Sequence, residues 1–194
     1  MDINILMDRQ NILQEEADEI LSTINLFPYL KIAGNPVQVG SYALGLMVWR
    51  DIDITVICPK LDINKIAEIK TKIMQLKGVK QTTFKSCIGA WNANPNRYPD
   101  SLYLGITYEP VAGKEWNFDI WFIDEPSKQP DLIHIHDIPR MLDDEKLISI
   151  MRIKTEWVEK PEYRKTVTSY DIYKAVLNQN IKTVVEFAEW LKIK

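Results

Sequence analysis

The sequence predicts an α+β fold, a mixed sheet packed on helices with a helical portion at the C-terminus. Three observations predict it. Strand-like runs rich in β-branched and aromatic residues recur between residues 36 and 124, helical periodicity returns from Asp143 onward, and Asn/Pro-rich punctuation separates elements. With 194 residues, 46% of them apolar and 26% charged, the chain can bury a proper core as one domain with a helical extension. A division near residue 140 is expected, 1–140 forming the sheet-bearing unit and 141–194 the extension.

Residues 9–26 place Ile12, Leu13, Ala17, Ile20, Leu21 and Ile24 at helical spacing. "PVQVGS" then reads as a short strand ending in a Gly-Ser turn, and "DIDITVIC" as a second strand. Asp62 is placed to cap a helix with the stripe Ile63, Ile66, Ile69, Ile73 and Leu76, which Gly78 stops. Three further strands follow in "VKQTTFKSC", "SLYLGITYE" and "WNFDIWFID", with "IGAWNANPNRYPD" as a loop between the first two. A helix is expected over about 143–159, with Asp143 and Asp144 at its positive end. Another follows Ser169. A last one begins at Thr183, whose Glu186 completes a capping box.

The chemistry-bearing stretch is "GSYALGLMVWRDIDIT", residues 40–55. Strand side chains alternate, so Asp51, Asp53 and Thr55 share one face while Ile52, Ile54, Val56 and Cys58 form the core face. Two carboxylates about 6.5–7 Å apart at their Cα atoms repel by about 2–3 kcal/mol at an effective dielectric near 20. A divalent cation between them reverses the sign. In "WNFDIWFI", Asp119 stands opposite the apolar face of Phe118, Ile120 and Phe122. A carboxylate in so apolar a strand needs a partner. Were the two strands neighbours, three acids would converge, a set able to hold two Mg²⁺ ions for in-line displacement at phosphorus.

Gly40-Ser41, nine residues, then Asp51-x-Asp53 flanked by aliphatics, with a third acid on a later strand, resembles the signature of the DNA polymerase β-type nucleotidyltransferase superfamily. The resemblance covers about residues 35–124. It implies a nucleotidyltransferase-like catalytic unit in which Gly40 admits phosphate close to the backbone and Ser41 offers a hydroxyl and an N–H to it. Asp51 and Asp53 would hold Mg²⁺, and Asp119 would complete a second metal position and orient the acceptor hydroxyl. The implied reaction moves an NMP from an NTP to a hydroxyl of a small molecule or protein and releases pyrophosphate. A catalytically silent binding or regulatory module on the same fold is the alternative.

Small members of that superfamily often read Gly-Ser-x-Ala-Arg-Gly, and this chain has Leu44 at the arginine's place. The phosphate contacts must then come from elsewhere. Arg50 precedes Asp51 and should face away from it, in a structural or surface role. Lys154 falls within the apolar stripe of Leu147, Ile150, Met151, Trp157 and Val158, where a lysine needs a reason: snorkelling, an acid partner or a ligand phosphate. Tyr170 and Lys174, four apart on the next helix, are candidates for the same nucleotide-binding cleft. His134 and His136 in "HIH" would share one face of a short extended segment, but two ligands fall short of a structural zinc site.

The formal net charge of −3 lacks the basic excess expected of a protein that grips long nucleic acid, which favours a small acceptor. Two cysteines, Cys58 and Cys87, read as reduced thiols of a cytoplasmic protein. The N-terminal residues lack the pattern of a signal peptide, and no apolar run approaches the length of a membrane span.

Overall fold

The computed structural model describes residues 3–194. Helix α1 (Ile3–Ile24) and the short α2 (Leu26–Leu30) precede strand β1 (Asn35–Val39), the short helix α3 (Gly40–Leu44) and strand β2 (Asp51–Ile57). Helix α4 (Ile63–Met74) leads to β3 (Val79–Cys87), β4 (Ser101–Tyr108) and β5 (Trp116–Ile123). Helices α5 (Pro130–Met141), α6 (Asp144–Trp157), α7 (Ser169–Gln179) and α8 (Val184–Ile193) complete the chain.

The strands form one mixed sheet in the order β1-β2-β5-β4-β3. Only the β2–β5 pairing is parallel, and its register sets Asp53 directly opposite Asp119. The two acidic strands are therefore neighbours at the centre of the sheet. One face is apolar: Ile52, Ile54, Val56, Phe118, Ile120 and Phe122 pack with α1, α2 and α4 in one core cluster. A second cluster joins α6, α7 and α8 to Leu6 of α1 and to Leu46 and Val48 of the segment before β2. The polar face of β2 is thus roofed by helices, and Thr55, on the same face as the aspartates, is fully buried.

The capping signals act as their sequences require. The Asp62 carboxylate accepts from the N–H groups of Asn64 (3.0 Å) and Lys65 (3.1 Å), and Asp143 accepts from that of Lys146 at 2.9 Å. Capping boxes open α7 (Thr168 with Asp171) and α8 (Thr183 with Glu186).

Two elements differ from the sequence expectation. Helix α1 starts at Ile3, because its buried stripe continues back through Gln10 to Leu6, whereas Ile12 is exposed. Gln10 hid the pattern: it is a polar residue in a core position, and its Oε1 accepts the backbone N–H of Met47 at 3.2 Å. The "HIH" segment is not extended but lies inside α5, which opens on Pro130 at the first helical turn. Residues two apart on a helix point to different sides, so the two imidazoles do not share a face. His134 is half-buried and His136 exposed.

Candidate active site

The short β1–α3–β2 unit builds the centre of the site. Gly40 follows β1 and opens α3 with φ +66°, and a Cβ there would lie 2.0 Å from Asp53 Oδ2. Only glycine allows this turn and this approach. Gly40→Ala is expected to push Asp53 aside, weakening Mn²⁺ binding at least about tenfold beyond a modest loss of stability. Metal titration beside a thermal melt checks this, and unchanged Mn²⁺ affinity would contradict it.

Asp51, Asp53 and Asp119 each offer a carboxylate oxygen, and the three oxygens lie within 4.8 Å of one another. Asp51 is 7% exposed, and its Oδ1 is buried with no hydrogen-bond partner. Burial, then the charge of Asp119, pushes the Asp51 carboxyl up to about 7, against the opposing pull of Arg164 and Lys154. Asp53 is raised well above the usual carboxylate range by burial and by the charges of Asp51, Asp119 and Asp131. An orphaned carboxylate oxygen and two acids held away from ionisation are what a divalent cation corrects, so these residues fit Mg²⁺.

Asp119 is held from two sides. Tyr103 Oη donates to its Oδ1 at 2.5 Å, and Arg164 Nη2 donates to its Oδ2 at 3.3 Å. Burial, then its bond to Asp119, raises the Tyr103 phenol, so it stays a donor. Gly105 makes room for this: a Cβ there would meet Tyr103 Oη at 2.5 Å. The triad forms part of the wall of a cavity of about 350 Å³, with Gly40, Ser41 and Leu44 on one side and Thr168, Ser169 and Tyr170 on another.

The remaining candidates separate. Tyr170 lines the cavity, its ring stacked on His134 at a centroid distance of 4.2 Å. Lys174 lines an adjoining groove of about 540 Å³ that shares His134, Tyr170 and Tyr173 with the cavity. Lys154 lines neither. It is fully buried, donating from Nζ to the Leu46 carbonyl at 2.5 Å and to Tyr173 Oη at 3.0 Å. Burial lowers its ammonium to about 7 against the charges of Asp53 and Asp51. Arg50 pairs with Glu16 at 3.0 Å, in the structural role expected of it. Both cysteines are free.

Sequence reasoning missed Tyr103, Arg164, Trp49 and Asp131, which all line or abut the triad. One signal was available: an isolated glycine inside a strand, Gly105, marks a close approach. Nothing local marks Arg164, which a connecting loop delivers.

The mixed sheet that brings the Gly-Ser turn together with the strands carrying Asp51-x-Asp53 and Asp119 is an α+β fold found also in solved nucleotidyltransferases. Solved structures of the poly(U) polymerase Cid1 share it. The form with magnesium and 3′-dATP bound is 19% identical with a TM-score of 0.57, over 84% of this chain and 48% of that one. The complex with its short product ApU is 16% identical with a TM-score of 0.59, over 90% and 52%. A cytoplasmic RNA terminal U-transferase gives 19% identity and a TM-score of 0.55, over 87% and 49%. The chain therefore spans about half the length of the structures it matches. No family model and no curated sequence matches it. The expectation of a non-nucleic-acid acceptor finds no support in this likeness, since the matched proteins are RNA-extending enzymes by name. No helix among the described residues is long and apolar enough to cross a membrane.

Proposed function

We propose that this chain is a Mg²⁺-dependent nucleotidyltransferase: an acceptor hydroxyl attacks the α-phosphorus of an NTP, the bond to the bridging oxygen breaks, and pyrophosphate leaves. The observation that carries this reading is the convergence of three carboxylate oxygens within 4.8 Å beside the Gly-Ser turn. Asp51 and Asp53 would hold the metal, with Asp119 completing a second position. The bound metal supplies charge neutralisation at the phosphates and acidifies a coordinated hydroxyl. Gly40 and Ser41 seat the triphosphate, and Tyr170 offers a ring face to the nucleotide. Asp119, fixed by Tyr103, orients the acceptor hydroxyl and takes up its proton. Asp51 has no protein donor on Oδ1 and keeps that oxygen for the metal.

The acceptor belongs in the adjoining groove, whose rim carries Arg97, Lys128 and Lys174. Those cations suit a hydroxyl compound that also bears phosphate, an RNA 3′ end as well as a small phosphorylated molecule. The sheet-bearing part to about residue 140 supplies the acids, and the helical part beyond it closes the cavity with Thr168, Ser169 and Tyr170. A cytoplasmic setting suits the two free thiols. Leu44, half-buried at the cavity's edge in place of a cation, favours a silent nucleotide-binding module instead.

The deciding experiment measures Mg²⁺-dependent binding of each of the four NTPs, then pyrophosphate release with a panel of oligoribonucleotides and small hydroxyl compounds. Release with one acceptor is expected. Tight NTP binding without release across the panel would favour the silent module, and loss of both metal and NTP binding would end both readings.

A further inference from the structure

The cavity has a triad of acids, a fourth acid in Asp131 and, among the described residues, a single arginine or lysine in its lining: Arg164. A site that takes a triphosphate needs cationic donors, and Leu44 supplies none. Arg164 comes from the loop between α6 and α7. Its φ is +66°, a left-handed conformation rare for a bulky side chain and one that surrounding structure must enforce. The enforcement is visible: its N–H donates to the Val167 carbonyl at 2.7 Å, and a Tyr163–Val167 bridge closes the loop.

The guanidinium lies over the Trp49 ring, 3.9 Å from its centroid, and among the described residues its one hydrogen-bond partner is Asp119. With Tyr103 on Oδ1 and Arg164 on Oδ2, both oxygens of Asp119 are engaged. Each oxygen keeps a second lone pair for a metal, but a divalent cation at Asp119 repels a guanidinium and not a neutral phenol. The Tyr103 bond is short at 2.5 Å, whereas the Arg164 contact is 3.3 Å long and its side chain is 43% exposed. Arg164 is the donor that gives way. A guanidinium stacked on an indole keeps its plane while its long stem pivots, and its fork matches phosphate oxygens.

We infer that Arg164 is the polyphosphate-binding cation of this cavity, held on Asp119 in the metal-free protein and released to the phosphates when a divalent cation takes its place. The inference rests on the nucleotidyl-transfer reading, and it gives the loop before α7 the task that Leu44 leaves undone.

The test uses the full chain, Mn²⁺ alone, and inorganic tripolyphosphate at saturating Mn²⁺. Arg164→Asn removes the charge with a residue that tolerates positive φ, and Arg164→Lys restores a cation. A circular-dichroism melt confirms that both fold. Arg164→Asn is expected to bind Mn²⁺ about two- to fivefold more tightly, the size of a lost half-exposed ion pair. Its tripolyphosphate affinity should fall at least about tenfold, with Arg164→Lys recovering most of that loss. Indole fluorescence that changes on Mg²⁺ addition in the wild type, but in neither Trp49→Phe nor Arg164→Asn, would show the guanidinium moving on the ring. Tripolyphosphate binding unchanged in Arg164→Asn, or Mn²⁺ binding no tighter, overturns the role of Arg164 while leaving nucleotidyl transfer standing. A wild-type chain that binds no Mn²⁺ overturns both.

Discussion

Asp53→Asn is expected to abolish the proposed nucleotidyl transfer, by at least about a thousandfold, while leaving the metal-free protein as stable as the wild type or more so. The two outcomes share one cause. Asp53 sits against Asp51 and Asp119, and burial with their charges raises its carboxyl well above the usual range. A group whose folded-state pKa is raised stabilises the fold at acidic pH and loses that contribution as pH climbs through the folded value. Asp51 behaves likewise between 3.8 and about 7. The metal-free wild type should therefore lose stability as pH rises from about 4 through 7. The amide keeps the shape of the carboxylate without its charge. At pH 8 the variant should melt about 2–4 °C higher for each kcal/mol of repulsion relieved, and at pH 4 the advantage should vanish. Mg²⁺ should raise the melting temperature of the wild type at pH 8 and leave that of Asp53→Asn unmoved. Melting curves at the two pH values with and without Mg²⁺ decide it. A variant that turns over normally, or that gains the same stabilisation from Mg²⁺, would remove the metal role from Asp53.

The three acids of that candidate site could be picked out from the chain because strand alternation is local. Asp51, Asp53 and Asp119 stand out as acids opposite apolar faces, and each strand run was bounded by its own turn chemistry. The parallel pairing of β2 with β5 was not local. It joins strands some sixty residues apart across an intervening helix and two other strands, and no residue near Asp51 announces Asp119 as its neighbour. The sequence could state only what would follow if the strands were adjacent. Helix α5 was hidden for the opposite reason. In "LIHIHDI" apolar and polar residues alternate as in a strand, while the helix is fixed by Pro130 at its start and by α3 and α7 beside it. Arg164 and Tyr103 reach Asp119 through a left-handed loop residue and over a glycine gap, both features of tertiary geometry.

Lys154 separates what a residue's position implies from what its charge does. The apolar stripe of α6 posed the question of why a lysine stands there, and a ligand phosphate was one answer. The structure places Nζ inside the protein, between the Leu46 carbonyl and Tyr173 Oη, where it ties the segment following α3 to α6 and α7. Leu46 in turn donates its N–H to the Ser41 carbonyl at 2.9 Å, so the tether reaches the Gly-Ser turn through one residue. Lys154→Ala is expected to cost about 3–5 kcal/mol, from the cavity left by a fully buried stem and from the unpaired Leu46 carbonyl. Lys154→Met fills the same space without the desolvated ammonium, and its stability should stay within about 1–2 kcal/mol of the wild type. If the lysine works by holding the loop and by opposing the charges of Asp51 and Asp53, both variants should bind NTP poorly although only Lys154→Ala unfolds early. Urea denaturation and NTP titration, run on the same preparations, separate the two effects. Wild-type NTP affinity in a stable Lys154→Met protein would reduce Lys154 to a packing residue, and would leave the Gly-Ser turn to be positioned by its own strand and helix.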